Sequence, residues 1–181
     1  MKKRAGYVKN FIPLAFLAVV MLLMVYDLQK RQIHAINRTV EDALAESNLA
    51  SAIIDIREYG ISHHLVIKDT DRAYEIYKDA LRYNMGLNSE WEHPGEGMIS
   101  GKVEVMDYIV YSVSGNDVDV TSYGDNPYTT SYSNGLGSVT APNGQLIEST
   151  SVYSRITFPV EAYRGITATA VKDKLVDVVS E

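Results

Sequence analysis

The chain has no cysteine, and aromatic residues other than tyrosine are scarce, with three phenylalanines and one tryptophan among 181 residues. Without cysteine, the protein cannot form a disulfide framework, a thiolate zinc site or a thiol nucleophile. Tyrosine, by contrast, occurs 13 times. It suits half-buried sheet faces, because its ring can be covered while its hydroxyl reaches water. The composition therefore indicates a tyrosine-rich sheet without covalent cross-links.

Acidic residues outnumber basic ones beyond the first 26 residues. That segment holds four basic residues and no acidic one, whereas the remainder holds all 23 acidic residues and 13 basic ones. Phosphate binding needs a concentrated basic surface, so the acidic body argues against nucleic acid as a partner. We therefore expect no nucleic-acid-binding function.

Recognisable catalytic and cofactor-binding motifs are missing from the sequence. Gly135-Leu136-Gly137 lacks the third glycine of a dinucleotide fingerprint and the GK[ST] ending of a P-loop, and no G-x-S-x-G occurs. His63 and His64 are neighbours that would point to opposite sides in extended structure, which disfavours a shared metal ion. The acidic and amide residues of segment 116–126 lack the spacing of an EF-hand calcium loop. We therefore predict a non-enzymatic protein with no cofactor and no metal site.

An unbroken apolar run, FIPLAFLAVVMLLMVY, extends from Phe11 to Tyr26. At about 1.5 Å per residue it gives roughly 24 Å as a helix, and its flanking residues bring it close to the ~30 Å hydrocarbon core of a bilayer. A cleaved secretory signal and an apolar core helix are the alternatives. The run is longer than a usual signal core, however, and no A-x-A-like cleavage site follows it closely. Residues 11–26 therefore predict a membrane-spanning helix.

The charges beside this run predict its orientation. Residues 1–10 form a basic leader, and fewer basic residues follow the run on its other side. Because positive charge is retained in the cytoplasm, we expect a cytoplasmic N-terminus, a single pass through the cell membrane and an extracytoplasmic body. Pro13 fits either the first turn of a helix capped by Asn10 or the interior of a helix that begins near Lys3.

Residues 27–59 continue without glycine or proline and change to a one-sided apolar pattern. The residues of this face recur at spacings of three and four: Ile33, Ile36, Val40, Leu44, Ser47, Ser51 and Ile54. The pattern predicts an amphipathic second half of the helix that ends at Gly60. Additional apolar residues between Leu49 and Ile56 predict burial of its last turns. The same pattern fits a surface helix of a globular domain or a stalk that packs against neighbouring subunits.

Residues 60–181 predict an extracytoplasmic α+β head. One short helix is expected from Thr70 to about Met85, capped by Thr70 or Asp69 and ended by Gly86. The long helix and this short one would cover one face of a mostly antiparallel sheet.

The β-rich part of the predicted head is residues 98–181, where the apolar period changes to two. Segment 124–138 is rich in turn formers and predicts a long exposed loop, while Pro142-Asn143-Gly144 signals a hairpin. Two last strands are joined through Gly165, and Pro159 in the first of them indicates an edge or a bulge. The count is about six strands.

The layout of a basic leader, an apolar helix that runs into an amphipathic half, and a C-terminal antiparallel sheet resembles type IV pilins and pseudopilins. The segments TVEDALAESNLASAIIDIREYG, SNGLG and STSVYSRITFPV are similar to TadE-like or minor-pilin-like proteins of tight-adherence (Tad/Flp) pilus loci in Gram-positive bacteria. The resemblance implies that apolar helix halves bundle together while β-rich heads face solvent. Ala15 and Ala18 would then form the helix assembly face, because small residues let helices approach closely.

The resemblance also implies processing by a prepilin peptidase, which cleaves after a glycine and would here cut between Gly6 and Tyr7. Members of the family carry Glu at the fifth position of the mature protein, where this chain has Phe11. This departure favours an unprocessed, membrane-retained accessory subunit over a major pilin.

We therefore expect a non-enzymatic, membrane-anchored, pilin-like structural or assembly subunit of a surface filament or secretion apparatus. Its expected partners are membrane lipid and, through the N-terminal helix, other pilin-like subunits or assembly proteins. The alternative is a single-span extracytoplasmic ligand-binding or sensory domain that uses segment 124–138 as its ligand surface.

Overall fold

A computed structural model describes residues 4–95, 99–161 and 167–178, with side chains from Ile12 onward. Within these residues lie the helices α1 (Arg4–Ser51), α2 (Ile56–Ser62) and α3 (Thr70–Asn84), and the strands β1 (Glu104–Ser114), β2 (Asp117–Gly124), β3 (Tyr128–Tyr132), β4 (Ser151–Glu161) and β5 (Thr167–Asp177). The predicted α+β class, with a long N-terminal helix and an antiparallel sheet, is confirmed. The chain divides into two compact units, a first unit of Met1–Arg38 and a second unit of Thr39–Glu181.

α1 is 48 residues long, and proline or glycine does not interrupt it after Pro13. Pro13 itself lies inside the helix, so the interpretation in which Asn10 caps the helix is wrong. The predicted spanning half and most of the predicted amphipathic half therefore belong to one element.

α1 ends at Ser51, eight residues before the predicted end at Tyr59. The Ser51 hydroxyl turns back to donate to the carbonyl of Asn48 (2.7 Å), and the following residues leave the helix. Asp55 then caps a new helix, because its carboxylate accepts from the N–H groups of Arg57 and Glu58. Gly60 lies inside this helix, α2, and His63 takes the left-handed C-cap position with φ of 58°. The prediction that Gly60 ends the long helix was therefore wrong, and the described ranges contain two short helices in place of the one predicted.

α3 begins and ends as the sequence predicts. Asp69 is its N-cap and accepts from the N–H of Arg72 (3.0 Å). Gly86 follows with φ of 63°, a conformation in which glycine avoids a Cβ clash. The helix buries the side chains of Ala73, Tyr77 and Leu81.

The five strands form one antiparallel sheet in the order β3-β2-β1-β4-β5. β1 and β2 form the predicted hairpin around Gly115-Asn116, with Ser114 opposite Asp117. The central position of β1 places its residues Tyr108 to Ser112 in the core.

Segment 124–138 is not only a loop, because it contains β3, which pairs with β2 along five residues. In contrast, the described residues beside Pro142-Asn143-Gly144 do not form the two strands of the predicted hairpin. A turn does form there, with the Gly144 N–H donating to the Ala141 carbonyl, but the segment makes only the single bridge Thr140–Leu146. The described sheet therefore has five strands, not six, and Gly165 lies outside the described residues.

Pro159 lies in β4, an inner strand, at a point beyond the last β4 residue that pairs with β1, Thr157. Its carbonyl faces the β1 side, where it accepts from the N–H of Ser100 (3.1 Å). In a strand, the N–H and carbonyl of one residue point to the same side. An N–H at position 159 would therefore point towards the β1 side, where β4 no longer pairs with β1, so proline costs no ladder hydrogen bond here.

The sheet is covered on both faces. On the helix face, Tyr108 contacts Ser51 of α1 and Tyr77 of α3. On the opposite face, which we call the loop face, buried residues of β1, β2 and β4 pack with Ala141 and Ile147 from the segment between β3 and β4. The second unit is therefore organised as helices, sheet and a covering segment.

Candidate functional site

The apolar part of α1 is exposed in the described chain. From Ile12 to Tyr26 every side chain is exposed except that of Val20, which is half-buried. Among the described residues, α1 is long and apolar enough to cross a membrane. Burying an apolar surface of this kind in lipid or against other apolar surfaces is favourable.

The two predicted assembly residues, Ala15 and Ala18, are both exposed on this part of α1. Successive residues of an α-helix are rotated by about 100°, so residues three apart lie on one side of it. The backbone of Gly6 and Tyr7 belongs to α1, but their side chains, and with them the predicted processing site, lie outside the described residues.

The last turns of α1 lie on the helix face of the sheet. Val40, Leu44, Ser47 and Ser51 are buried there, which confirms the predicted helix face over these residues, and Asn48 is buried beside them. The predicted burial of the additional apolar residues was wrong for Leu49, Ile53 and Ile56, which are exposed, and Ile54 is half-buried. Leu49 lies on the exposed side of α1, and Ile56 comes after α1 has ended.

Asn48 fastens α1 to two strands. Its amide nitrogen donates to the carbonyl of Val152 in β4 (3.3 Å) and to that of Lys174 in β5 (3.0 Å). Three residues later, Ser51 accepts a hydrogen bond from the hydroxyl of Tyr108 in β1 (2.9 Å). Hydrogen bonds buried in this way fix the position of a helix more strictly than apolar contacts do, because they depend on direction.

Glu41 adds an ionic contact between α1 and the edge strand β5. Its carboxylate lies 2.8 Å from Lys174 Nζ and 3.2 Å from Lys172 Nζ. Hydrogen bonds from these two lysines, that from Lys174 first, lower the pKa of Glu41. The group is largely solvated, so the contact orients α1 more than it stabilises the fold.

A cluster of four tyrosines joins α3 to the sheet. The ring of Tyr108 lies 4.6 Å from that of Tyr77 and 5.3 Å from that of Tyr74, between ring centroids. Tyr123 stacks on Tyr74 at 4.8 Å, and its hydroxyl donates to the carboxylate of Asp71 (2.7 Å). These contacts make tyrosine the main aromatic component of the core, as the composition predicts.

We expect the fold to be lost in alkaline solution as the buried tyrosines on both faces of the sheet ionise. Burial raises the pKa of Tyr77, Tyr108 and Tyr111, and it raises that of Tyr153 to about 12. An unfolded tyrosine ionises near pH 10. A raised pKa in the folded state means that the stabilisation is complete below about pH 10 and falls as the pH rises towards 12.

Tyrosinate absorbance and circular dichroism, followed together against pH, test this expectation. The absorbance of the buried set should appear together with the loss of the sheet signal. Ionisation of all the tyrosines with an unchanged sheet signal would contradict it.

An open pocket of about 450 Å³ lies between α3, β1 and the segment after α3. Its lining combines aromatic, cationic, acidic and apolar residues: Tyr74, Lys78, Trp91, Lys102, Val103, Glu104, Val105 and Asp125. Lys78 Nζ lies 4.6 Å from the centre of the Tyr74 ring, a cation–π contact. Such a lining suits a ligand with an apolar face and polar groups at its rim.

Trp91 adopts a left-handed conformation with φ of 66°, which is rare for a bulky residue. Hydrogen bonds hold it there: its N–H donates to the carbonyl of Asn88 (3.2 Å), and its carbonyl accepts from the N–H of Val103 (2.9 Å). The Asn88 side chain fixes the same turn by accepting from the N–H groups of Glu90 and Glu92. Strained conformations held in this way often occur at binding sites.

The residues weighed from the sequence as metal ligands have other roles in the structure. His63 caps α2, and the ring of His64 lies 3.4 Å from the hydroxyl of Ser114. The carboxylates of Asp117 and Asp119 accept hydrogen bonds from Asn134 and Ser131 and so support the chain around β3. Among the described residues, no group of three or more histidine and acidic side chains is arranged to hold a metal ion.

Comparisons of the chain with protein-family models, with curated proteins and with solved structures find no match. Its function is therefore inferred from the geometry of its own residues.

Proposed function

We propose that the protein is a non-enzymatic, membrane-anchored structural or assembly subunit, pilin-like in design, of a surface filament or secretion apparatus. The observation that carries the proposal is the long exposed apolar surface of α1 from Ile12 to Tyr26. The orientation that we propose places the N-terminus in the cytoplasm and the second unit outside, in line with the basic leader.

The way α1 ends supports this proposal over that of a simple tether. A tether needs no fixed geometry, whereas Asn48 and Ser51 bind the last turns of α1 to three strands. These contacts lie within the second unit and hold the end of α1 there in one defined position. Lipid serves as the solvent of the apolar helix until helices of partner subunits replace it, at a small net cost because both surfaces are apolar.

Crosslinking through introduced cysteines tests the proposal in a chain that has no natural cysteine. Ala15→Cys and Ala18→Cys place a thiol on the proposed assembly face. Val20→Cys is the matched control, since it lies nearly opposite that face at about 100° per residue. In native membranes we expect crosslinks to partner chains from Ala15→Cys and Ala18→Cys and at most a tenth as many from Val20→Cys.

The proposal would be abandoned if none of the three variants formed a crosslink while sheared surface material and membranes held only unassociated monomers. Equal crosslinking from all three positions would also count against a defined assembly face, because it indicates random encounters.

A second candidate function, a single-span ligand-binding or sensory domain, is favoured by the pocket around Trp91. Its ligand surface would be this pocket, to which segment 124–138 contributes Asp125. Five other residues of that segment form the paired strand β3. Trp91 is the one tryptophan of the chain, so intrinsic tryptophan fluorescence reports on this pocket alone.

A further inference from the structure

The two edges of the described sheet, β3 and β5, differ in how they are protected against pairing with another strand. Natural edge strands are commonly blocked by charge, proline or a bulge. β5 carries Lys172, Asp173 and Lys174, and both lysines also bind Glu41. β3 reads Tyr-Thr-Thr-Ser-Tyr, with no charge and no proline, and its pairing with β2 has no break in register. β3 is therefore the unprotected edge.

The hydrogen-bonding pattern determines which backbone groups of β3 are free. The two-residue turn Gly115-Asn116 makes Ser114 and Asp117 a hydrogen-bonded pair, and such pairs alternate along an antiparallel ladder. The hydrogen bond from the Asp125 N–H to the Met106 carbonyl (2.9 Å) follows the same alternation at the other end of the ladder.

This alternation directs the backbone groups of Val118, Val120 and Ser122 away from β1 and towards β3. Val120 pairs with Thr130, so the N–H and carbonyl of Thr130 are used within the sheet. Those of Thr129 and Ser131 face outward from the edge, and both residues are exposed.

We propose that β3 is a self-association site that pairs antiparallel with β3 of a second copy of this chain, centred on Thr130. The strand is nearly palindromic, so pairing about Thr130 places Tyr128 opposite Tyr132 of the second copy and Thr129 opposite its Ser131. Both kinds of cross-strand pair, aromatic with aromatic and threonine with serine, are favourable. The two Thr129–Ser131 pairs each exchange both backbone hydrogen bonds, which uses every outward group of these residues.

The position of the second unit's part of α1 leaves this edge free. Glu41 contacts β5, and Ser51 contacts Tyr108 of β1, so Thr39–Ser51 crosses the sheet from the β5 edge and stops short of β3. The two-fold axis of an antiparallel pair is perpendicular to the sheet. It therefore places the two Thr39 ends at opposite outer edges of a ten-stranded sheet. The contact is separate from any packing between apolar helix halves and does not depend on it.

Thr130→Cys tests the proposed register in the full-length chain solubilised in detergent. In a pair centred on Thr130, the two Thr130 residues form a non-hydrogen-bonded pair with Cα atoms about 4.5 Å apart, which suits a disulfide. Thr169→Cys is the matched control, since Thr169 is an exposed threonine on the charged edge strand β5. On mild oxidation we expect at least tenfold more disulfide-linked dimer from Thr130→Cys than from Thr169→Cys.

Ser131→Pro, combined with Thr130→Cys, tests the hydrogen bonds of the pair. Proline removes an outward N–H while leaving the bonds between β2 and β3 intact, so the domain should keep its circular dichroism spectrum. We expect about tenfold less dimer, because both copies lose a donor and gain a bulky ring at the contact. Ser131→Ala is its control: it removes the hydroxyl that donates to Asp119 (2.5 Å) but keeps the N–H, and should leave the dimer yield within about twofold.

Equal dimer yields from Thr130→Cys and Thr169→Cys would overturn the proposal, and so would a yield that Ser131→Pro leaves unchanged. The Ala18→Cys crosslink is a separate measure of helix packing. Loss of the Thr130→Cys dimer in Ser131→Pro, with the Ala18→Cys crosslink retained, would show that β3 pairing and helix assembly are independent contacts.

Discussion

Replacing Leu17 and Val19 by arginine is expected to release the protein from membranes. Both side chains are exposed near the middle of the apolar run, and the core of the second unit contains neither residue. An arginine at the centre of a membrane-spanning helix costs about 2.5–3.5 kcal/mol on insertion scales, so two cost roughly 5–7 kcal/mol. That shift changes partitioning by on the order of a thousandfold or more. Alkaline extraction of membranes, with the soluble and membrane fractions quantified, measures it.

The matched control is the double substitution Leu28→Arg and Ile33→Arg, which adds the same charge just beyond the apolar run. Both native side chains are exposed on α1. Arginine at this depth reaches the interface with its long side chain, so the chain should remain in the membrane fraction. If the Leu17 and Val19 variant also remained there after alkaline extraction, the proposal of a spanning helix would be wrong.

Tyr108→Ala is expected to have the largest effect on the stability of the second unit. The side chain is fully buried, contacts the rings of Tyr74 and Tyr77, and donates a hydrogen bond to Ser51 at the end of α1. Removing a buried aromatic ring costs about 3–5 kcal/mol of unfolding free energy, because the cavity closes only in part. Urea unfolding in detergent, followed by circular dichroism, gives the difference from the natural chain.

One further variant distinguishes the stability contribution of the Tyr108 ring from that of its hydroxyl, and a second gives the effect of removing an exposed tyrosine. Tyr108→Phe keeps the ring and loses one hydrogen bond, so it should cost about 1 kcal/mol. Tyr83→Ala removes a tyrosine that is 86% exposed on α3 and should stay within about 0.5 kcal/mol of the natural chain. The contribution assigned to the Tyr108 ring would be wrong if Tyr108→Phe cost as much as Tyr108→Ala.

The sequence predicted the elements whose pattern is local and long. The apolar run, the two-residue period of β1 and β2, and the capped start of α3 each follow from neighbouring residues. The end of α1 at Ser51 could not be predicted in this way, since no glycine or proline marks residues 52–55. It depends on Tyr108, whose hydroxyl donates to Ser51, and on Asp55, whose carboxylate caps α2. The N–H of Asp55 also donates to the carbonyl of Val66, farther along the chain.

The strand β3 and the pocket around Trp91 were missed for related reasons. The residues around Tyr128–Tyr132 are turn formers, and this strand exists because β2 pairs with it. Trp91 has no intrinsic preference for a left-handed conformation, which Asn88 and Val103 impose from elsewhere in the chain. A signal was present for β3 alone, in the alternation of Tyr128, Thr130 and Tyr132 on one side of the strand.

The difference in charge between the edge strands β3 and β5 limits how many copies of the chain can join through strand pairing. A contact between β3 of one copy and β3 of another uses the same surface on both copies, so it closes on itself. The edge left outside is then β5 at both ends, where Lys172, Asp173 and Lys174 oppose the addition of a further strand. Under the proposed pairing, strand addition would stop at two molecules and would not propagate into an amyloid-like fibre. Growth of the proposed filament would then rely on other surfaces, and the exposed apolar length of α1 is the surface that we propose for it.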